Sequence, residues 1–431
     1  MLKCDVLIVG GGIAGLSAAA EVPPELSVIL ADAGGAASTE IMGFSAPANE
    51  PDSPERMFED TIRSGGGESD PALVRVLCSR ALRELKRLER LGIVFDRTAA
   101  GSYDMVPALG TSFPRVVHSG TTTGKQVMER LARPVLRERV TELFTADGGA
   151  VAGARLESGE IISTRAVVLA GGGFAGLWKR STWSKKLRGD ALTLGMSVGA
   201  RLRGVGFIQF EPTVTADGFP VITTALREGA ELLTERGDRL SPAPRKRELA
   251  RQIQQEIDRG EEVFYDFSGV DERRFAERYP EYFRRFQPWP PCFSVRPAPH
   301  TTLGGLEIDP DGATSVPGLF AAGECTGGIH GRDRLGGNAG LETLVFGRIA
   351  GSSAARYAAS APRLAFRESP PREQPGPEVF AEIAAIFDRC VTVCDEPEKL
   401  REAKRLLALL PPFPVVKLAE KVCERKEYAD Y

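Results

Sequence analysis

Short apolar runs and segments with helical spacing alternate at the start of the chain. Residues 4–9 (CDVLIV) form a short apolar run, and a small-residue segment follows through Ala20. A second apolar run covers residues 27–32. Apolar runs of this length are typical of buried strands, and the segment between them has the spacing of a helix. The pattern predicts a strand, a helix and a second strand in a βαβ arrangement.

The rest of the pattern predicts a mixture of helices, strands and loops. Leucine and arginine spacing predicts a helix from Ala72 to Leu91. Residues 40–70 are polar and rich in Gly and Pro, so a long loop is expected there. The further predicted elements are a loop at 116–124, a helix from Lys125, strands at 140–144, 153–157 and 162–169, and a charged helix at 244–259.

Composition narrows the classes of protein. The chain has 431 residues, enough for two or three domains, and its net charge of −3 indicates no nucleic-acid partner. Its seven cysteines include no CxxC pair, so neither a disulfide framework nor a metal site is expected. We therefore expect a reducing, cytoplasmic location. No apolar run approaches the ~20 residues of a membrane helix, so no membrane span is expected.

A glycine-rich motif stands between the first predicted strand and helix. Gly10, Gly12 and Gly15 form a GxGxxG sequence, and Asp32 follows twenty residues after Gly12. The glycines allow a tight turn and a close approach of the backbone to a pyrophosphate, whose charge the helix N-terminus stabilises. The Asp32 carboxylate can accept hydrogen bonds from ribose hydroxyls. The motif predicts a dinucleotide site.

Two further loops follow predicted strands and extend this site. Ala170, Gly171 and Gly172 form one loop, and Gly323 and Glu324 belong to the other. Three loops that are separated in sequence can converge on one extended cofactor. FAD is long enough to contact all three, so we predict FAD.

Composition also divides the chain. We predict an α/β fold with a Rossmann-like FAD-binding domain, an inserted α+β capping domain and a short helical C-terminal region. The composition changes near residue 205, and nucleotide-domain character returns at His300. The predicted regions are 1–205 and 299–360 for the FAD-binding domain, 206–298 for the inserted domain, and 361–431 for a linker and terminal helices.

The three histidines are predicted to lie in loops with glycine nearby. They are His118, His300 and His330, and each falls in a candidate cofactor loop. Their shared location favours functional roles over solvated or capping ones.

Longer motifs resemble those of one family. AGGGFAG at 170–176, HTTLGG at 300–305 and the long block at 318–351 resemble the flavoprotein subunits of succinate dehydrogenase and fumarate reductase. L-aspartate oxidase and the soluble fumarate reductases belong to the same superfamily. The resemblance covers most of residues 4–355 and implies an FAD-dependent enzyme.

The resemblance implies roles in FAD binding. Relatives with covalent FAD carry a histidine at the position of Thr39, and threonine cannot form that bond, so non-covalent FAD is expected. Glu324 is expected to hold the ribityl chain, and the helix that opens at Gly337 is expected to direct its positive end at the flavin pyrimidine edge. The other implied FAD-binding residues are Ile13, Ala14, Ala33, Ser38, Gly43, Val140 at the adenine, Asp190 near the flavin, Arg334, Asn338, Ala339 and Leu341.

The resemblance places the substrate between the flavin and the inserted domain. His300 and Arg334 are expected to bind one substrate carboxylate, for which arginine provides a bidentate, permanently charged group. The matching residues of the inserted domain are Thr223 and Arg227. Either Arg245 or Arg247 matches the arginine that is expected to transfer a proton to or from the substrate.

Two positions depart from the family pattern. Glu211 replaces the histidine of a Gln-Phe-His-Pro-Thr motif, and Thr224 replaces a glutamate of the proton path. A carboxylate at position 211 repels a substrate carboxylate unless it is protonated or paired. We hypothesise that the second end of the substrate is neutral or cationic.

The function that this pattern favours is hydride transfer between flavin N5 and a small carboxylic acid or related activated alkene. An L-aspartate oxidase is an enzymatic alternative, against which both departures count. The other alternative is a flavoprotein subunit that exchanges electrons with a partner protein and has no turnover alone.

Overall fold

The computed structural model describes residues 1–35, 37–241, 243, 245–394 and 396–426. Its α-helices within these residues are α1 Ile13–Ala19, α2 Pro54–Ser64, α3 Pro71–Arg90, α4 Thr123–Leu131, α5 Asp190–Ser197, α6 Lys246–Asp258, α7 Glu272–Arg278, α8 Pro280–Arg285, α9 Asn338–Ser360, α10 Pro377–Cys390, α11 Pro397–Leu407 and α12 Pro414–Lys426. Its strands are β1 Leu2–Lys3, β2 Val6–Val9, β3 Val28–Ala31, β4 Gly43–Ser45, β5 Met105–Val106, β6 Val116–His118, β7 Val140–Thr145, β8 Val151–Leu156, β9 Ile161–Ser163, β10 Ala166–Leu169, β11 Leu202–Arg203, β12 Ile208–Val214, β13 Glu231–Thr234, β14 Val263–Asp266, β15 Cys292–Ser294, β16 Arg296–Thr302, β17 Gly305–Glu307, β18 Leu319–Ala321 and β19 Thr326–Gly327.

A parallel sheet with the strand order β18-β10-β2-β3 organises the larger part of the molecule. Every residue of β2, β10 and β18 is buried, as expected for strands that are covered on both faces. Parallel strands place their carboxyl ends at the same edge, so the loops after β2, β10 and β18 lie together. The predicted α/β, Rossmann-like fold is confirmed.

Helix α9 packs against α1 through small residues. A Cβ atom at Gly347 would lie 2.5 Å from the carbonyl oxygen of Ala14, and one at Gly351 would lie 2.2 Å from that of Ala18. Only glycine permits the two backbones to approach this closely. The packing fixes the start of α9 beside the loop that follows β2.

A second hydrophobic core lies in the inserted part of the chain. It extends from Val221 to Val295 around the sheet β13-β14-β15. Phe267 is buried at its centre and contacts four other aromatic rings edge to face. A separate core supports an inserted α+β unit, while the boundaries at 205, 298 and 360 stay predictions.

The C-terminal helices α10, α11 and α12 pack on the main core. The indole Nε1–H of Trp178 donates a hydrogen bond to the Val391 carbonyl at 2.9 Å. Val393 meets Phe210 on β12 and Ala250 on α6 in a small cluster, so the tail contacts the elements that lead into the inserted unit. Within the described residues, no helix combines the length and hydropathy needed to cross a membrane.

Several local predictions were wrong. Residues 40–70 contain β4 and α2, and residues 116–124 contain β6, because β4 and β6 pair with each other antiparallel across a long sequence separation. Ser53 caps α2 by accepting from the Arg56 N–H at 3.3 Å. The predicted strand at 162–169 is two strands, because β9 pairs with β8 while β10 joins the parallel sheet. Helix α6 begins at Lys246, and Pro244 lies outside the described residues.

Candidate active site

A cavity of about 1000 Å³ lies between the parallel sheet and the inserted unit. All three glycine-rich loops reach its wall, and the inserted unit contributes residues such as Val221 and Tyr282. The residues proposed from the sequence that lie on this wall are Gly10, Gly12, Ala14, Asp32, Ser38, Gly43, Ala170, Gly171, Gly172, Glu211, Thr223, Arg227, Arg245, His300, Gly323, Glu324, Arg334, Gly337 and Ala339.

The first glycine loop brings two backbone segments into close contact. Gly10 has a φ of +113°, and a Cβ atom there would lie 2.2 Å from the Ala170 carbonyl oxygen. The Gly11 N–H donates to the Asp32 carboxylate at 3.0 Å. Arg137 also binds the Asp32 carboxylate, at 2.8 Å. The start of α1 therefore faces the cavity with an anchored carboxylate beside it.

Residues 38–43 form the next part of the wall. The hydroxyl of Ser38 accepts a hydrogen bond from the Ile13 N–H at 3.0 Å, which ties this segment to the first turn of α1. Thr39 is exposed and lies off the cavity wall, and its hydroxyl donates to Glu40 at 3.2 Å. Gly43 is buried and lines the cavity.

The N-terminus of α9 opens into the cavity. Gly337 precedes the helix with a φ of +82°, and no side chain caps the helix. Gly336, Gly337, Ala339 and Gly340 line the cavity. A helix N-terminus carries a partial positive charge, so this end of α9 favours an anionic group. Asn338 is buried and donates instead to Thr61 Oγ1 at 3.1 Å.

Glu324 places a carboxyl group on the cavity wall. Its Oε1 accepts hydrogen bonds from the Thr302 backbone N–H at 3.0 Å and from the Thr302 hydroxyl at 3.2 Å. Burial raises the pKa of Glu324 to about 7 and outweighs these hydrogen bonds. The carboxyl can accept a further hydrogen bond through its other oxygen.

Arg334 is oriented by Gln209 on β12. The Arg334 Nε–H donates to Gln209 Oε1 at 3.1 Å. The Gln209 amide nitrogen in turn donates to the Asp333 carboxylate at 3.0 Å and to the Arg334 carbonyl at 2.9 Å. Burial raises the pKa of Asp333. One glutamine thus holds two charged residues of the loop after β19.

His300 is held by its neighbours in an uncharged form. Its Nδ1 lies 2.8 Å from the Thr182 hydroxyl, and its ring stacks on Trp183 with centroids 4.9 Å apart. Burial first, and then the positive charges of Arg334 and Lys246, hold the pKa of His300 well below its ordinary value. A neutral imidazole can donate one hydrogen bond to a ligand without adding charge.

Glu211 is paired with a lysine that the sequence interpretation did not single out. Glu211 Oε2 lies 2.6 Å from the Lys246 ammonium, and both residues line the cavity. A buried carboxylate needs such a partner, because an unpaired buried charge is strongly destabilising. From the sequence, Glu211 was expected to repel a substrate carboxylate unless it is protonated or paired. The structure shows that it is paired.

The two candidate proton-transfer arginines differ in position. Arg245 is exposed, precedes α6 and lies on the cavity wall. Arg247 lies within α6 and off that wall. Thr223 and Arg227 lie on the wall, where Arg227 is exposed, and Thr224 Oγ1 lies 3.4 Å from the Tyr279 hydroxyl.

Some residues proposed from the sequence lie away from the large cavity. Val140 and Asp190 line a separate small cavity of about 60 Å³, where Asp190 pairs with Arg139 at 2.7 Å. His330 is buried and pairs with Glu342 at 2.8 Å. The proposed residues off the large cavity wall are Ile13, Gly15, Ala33, Thr39, Val140, Asp190, Arg247, Asn338 and Leu341, and their roles stay predictions.

The wall residues that sequence reasoning missed include Gln209, Trp183, Asp333 and Lys246. Gln209 lies two residues before Glu211 in a motif that was otherwise interpreted, so its position was a usable signal. Lys246 stands between the two candidate arginines, where nothing local marks it as different. Its relation to Glu211 becomes visible only in the fold.

The donor set suits a long phosphorylated cofactor. Two helix N-termini open into one cavity, a carboxylate stands beside the first, and glycines of three loops line the wall. A Cβ atom at Gly323 would lie 2.9 Å from that of Ala14, so the third loop also requires glycine where it meets α1. This fold and site define a dinucleotide-binding oxidoreductase.

Comparisons with known proteins assign the family. The model of the FAD binding domain family matches residues 5–339. A fumarate reductase (CoM/CoB) subunit of Methanothermobacter marburgensis is 34% identical over 84% of this chain and 74% of its own length. L-aspartate oxidase of Agrobacterium fabrum is 32% identical over 93% of this chain and 83% of its own. The solved structure of Mycobacterium smegmatis Sdh1 in complex with UQ1 has a TM-score of 0.81 at 28% identity and covers 99% of this chain and 85% of that one.

The chain belongs to the FAD-binding family of the succinate dehydrogenase and fumarate reductase flavoproteins. It is an FAD-dependent oxidoreductase of this type, as the sequence predicts.

The raised pKa of Glu324 predicts a pH-dependent stability of the cofactor-free protein. Between the ordinary carboxyl pKa of 4.5 and about 7, the folded chain binds more protons at this site than the unfolded chain. Stability therefore falls as pH rises through this window and stays lower above it. Replacing Glu324 with glutamine (Glu324→Gln) should raise the melting temperature more at pH 8 than at pH 5.

Thermal melts of the wild type and this variant at both pH values test the prediction. Glu307→Gln is the matched control, because Arg201 holds the pKa of Glu307 below its ordinary value and no gain at pH 8 is expected there. An equal effect of Glu324→Gln on the melting temperature at the two pH values would contradict the raised pKa of Glu324.

Proposed function

We propose that this enzyme oxidises or reduces the carbon–carbon bond next to a carboxylate on a small acid, with FAD bound non-covalently. The observation that carries the proposal is the position of Arg334, whose guanidinium lies on the cofactor cavity in a geometry set by Gln209. When bound, FAD supplies hydride transfer between its N5 and a substrate carbon. The activated alkenes related to such acids belong to the same substrate class.

Residues around the cavity would hold the cofactor in distinct ways. The N-terminus of α1 would bind the pyrophosphate, and Asp32 would accept from the ribose hydroxyls. Glu324 would bind the ribityl hydroxyls with its free oxygen. The N-terminus of α9 would stabilise negative charge on the flavin pyrimidine edge.

Arg334 and His300 would bind the substrate carboxylate. The guanidinium offers a planar, permanently charged fork that matches a carboxylate. The neutral imidazole adds a hydrogen-bond donor, and its stacking on Trp183 fixes its plane. Clamping the carboxylate in this way would orient the adjacent carbon and polarise a conjugated double bond.

Arg245 is the arginine that we propose for proton transfer to or from the substrate. It lies on the cavity wall, whereas Arg247 does not. Thr223 and Arg227 stand on the same wall and would contact the substrate from the inserted unit.

An electron-transfer partner protein is part of the proposal. The similarity to a protein named as a subunit of a fumarate reductase supports it, because subunits work within an assembly. A cytoplasmic location stays a prediction. Similarity to an L-aspartate oxidase supports that alternative as well. The Glu211–Lys246 pair counts against it, because oxidation of aspartate gives no reason for a second carboxylate on the cavity wall.

Acid precipitation should release the FAD completely. Thr39 carries no ring nitrogen that could bond to the flavin, so the yellow colour is expected in the supernatant and none in the washed protein. Absorbance of both fractions measures the distribution. Yellow colour that stays with the precipitated protein would refute non-covalent binding.

Replacing Arg334 with lysine should weaken acid binding about tenfold or more, because lysine keeps the charge but loses the bidentate fork. A panel of saturated and unsaturated acids, added to the oxidised and dithionite-reduced enzyme, gives affinities and turnover from the flavin absorbance. Arg201→Lys, at an exposed ion pair with Glu307, is the control and should change neither. A wild-type enzyme that responds to no carboxylic acid would overturn the proposed function.

The two arginines near the start of α6 can be distinguished by turnover. Arg245→Lys should lower kcat about 100-fold or more, within the usual range for loss of a general acid or base, with a smaller effect on KM. Arg247→Lys is the matched comparison and should retain most of the turnover. The reverse order of effects on kcat would assign proton transfer to Arg247.

A further inference from the structure

The Glu211–Lys246 pair lies where β12 and α6 meet the wall of the cofactor cavity. Its two side chains come from β12 and from the first turn of α6, and both reach that wall. The Glu211 side chain is 6% exposed and the Lys246 side chain 33% exposed, with 2.6 Å between the charged atoms. The carboxylate therefore anchors the ammonium group, while the lysine keeps its contact with the cavity.

The pair contributes no net charge to this part of the cavity. One ammonium proton is directed to Glu211, and the others are available for a ligand. A second substrate carboxylate would meet the negative Glu211 behind the lysine and gain little from an ammonium whose charge is already balanced. A cationic group would likewise gain little from Glu211, because the Lys246 ammonium already balances its charge.

Part of the same wall is apolar or neutral. Val221 and Ile222 of the inserted unit line the same cavity. Tyr282 lines it as well, and its pKa is raised to about 12 by burial and by the negative charge of Glu211, so the phenol stays neutral. These residues offer apolar and neutral polar contacts to an uncharged group.

We propose that Glu211 and Lys246 form a specificity-determining pair, which selects acids with one carboxylate and an uncharged hydrogen-bond acceptor at the other end. Lys246 would donate a hydrogen bond to a carbonyl oxygen, as in an amide, an ester or a ketone. The inference rests on the proposed function, because it takes Arg334 as the site of the first carboxylate.

Succinate and its half-amide succinamate test this inference, because they share one skeleton and differ in the charge of one end. Their dissociation constants are measured on the FAD-loaded enzyme from changes in the flavin absorbance. The wild type should bind succinamate at least tenfold more tightly than succinate. Glu211→Gln should reduce this preference at least tenfold, because Lys246 then carries an unbalanced positive charge.

The partner variants identify the origin of the effect. Lys246→Met should weaken binding of both acids, because it leaves Glu211 as an unpaired negative charge on the wall. The double variant Glu211→Gln/Lys246→Met should bind succinate less well than Glu211→Gln alone, because the freed cation is removed. Glu307→Gln, in an exposed pair with Arg201 at 3.0 Å, is the control and should leave the preference unchanged.

The possible failures are distinguishable. Equal binding of the two acids by the wild type would overturn the inference and leave the proposed function intact. A preference for succinamate that changes less than twofold in Glu211→Gln would also overturn the inference and leave the proposed function intact. Absence of binding of both acids at millimolar concentrations would overturn the inference, and the proposed function falls as well if no acid of the panel changes the flavin absorbance.

Discussion

The site depends on close packing of three glycine-containing segments against the backbone of α1 and the loop that precedes it. The Ala170 carbonyl lies against Gly10, Gly323 meets the side chain of Ala14, and Gly347 of α9 packs on the Ala14 carbonyl. Any side chain at these glycines would displace a backbone segment or the methyl group of Ala14. The contacts bring the N-termini of α1 and α9 to one cavity, and two positive helix ends there favour a negatively charged cofactor.

The sequence pattern was sufficient to predict elements that pack against neighbours close in sequence. It was also sufficient for loops that parallel strands bring to the same edge of a sheet. The first strand, the helix and the glycine loop follow from apolar runs and a GxGxxG motif. The convergence of three distant loops follows because β2, β10 and β18 are neighbours in one parallel sheet. The strands β4 and β6 were missed because three-residue segments carry almost no periodicity, and each is stabilised by the other.

The histidines show where sequence context is insufficient. His118, His300 and His330 were all expected in glycine-containing loops. The structure instead places His118 at the end of β6 and His300 within β16, while His330 lies in a loop. His118 and His300 line the cavity, whereas His330 is buried against Glu342. Local glycine content describes the freedom of a loop and says nothing about the direction in which a side chain points. Asp190 was proposed from the resemblance, and it pairs with Arg139 at a separate small cavity.

Glu211 shows that the meaning of a charged residue depends on its partner. Considered alone, it repels a substrate carboxylate, and the sequence leaves both a neutral and a cationic ligand open. The fold brings Lys246 to it across a separation of 35 residues, because α6 packs beside β12. The lysine removes the reason to expect a cation and supplies a hydrogen-bond donor instead. Family membership establishes the cofactor. The proposed carboxylate fork of Arg334 and this pair would set the substrate, so substrate choice can change without altering the residues that would hold the flavin.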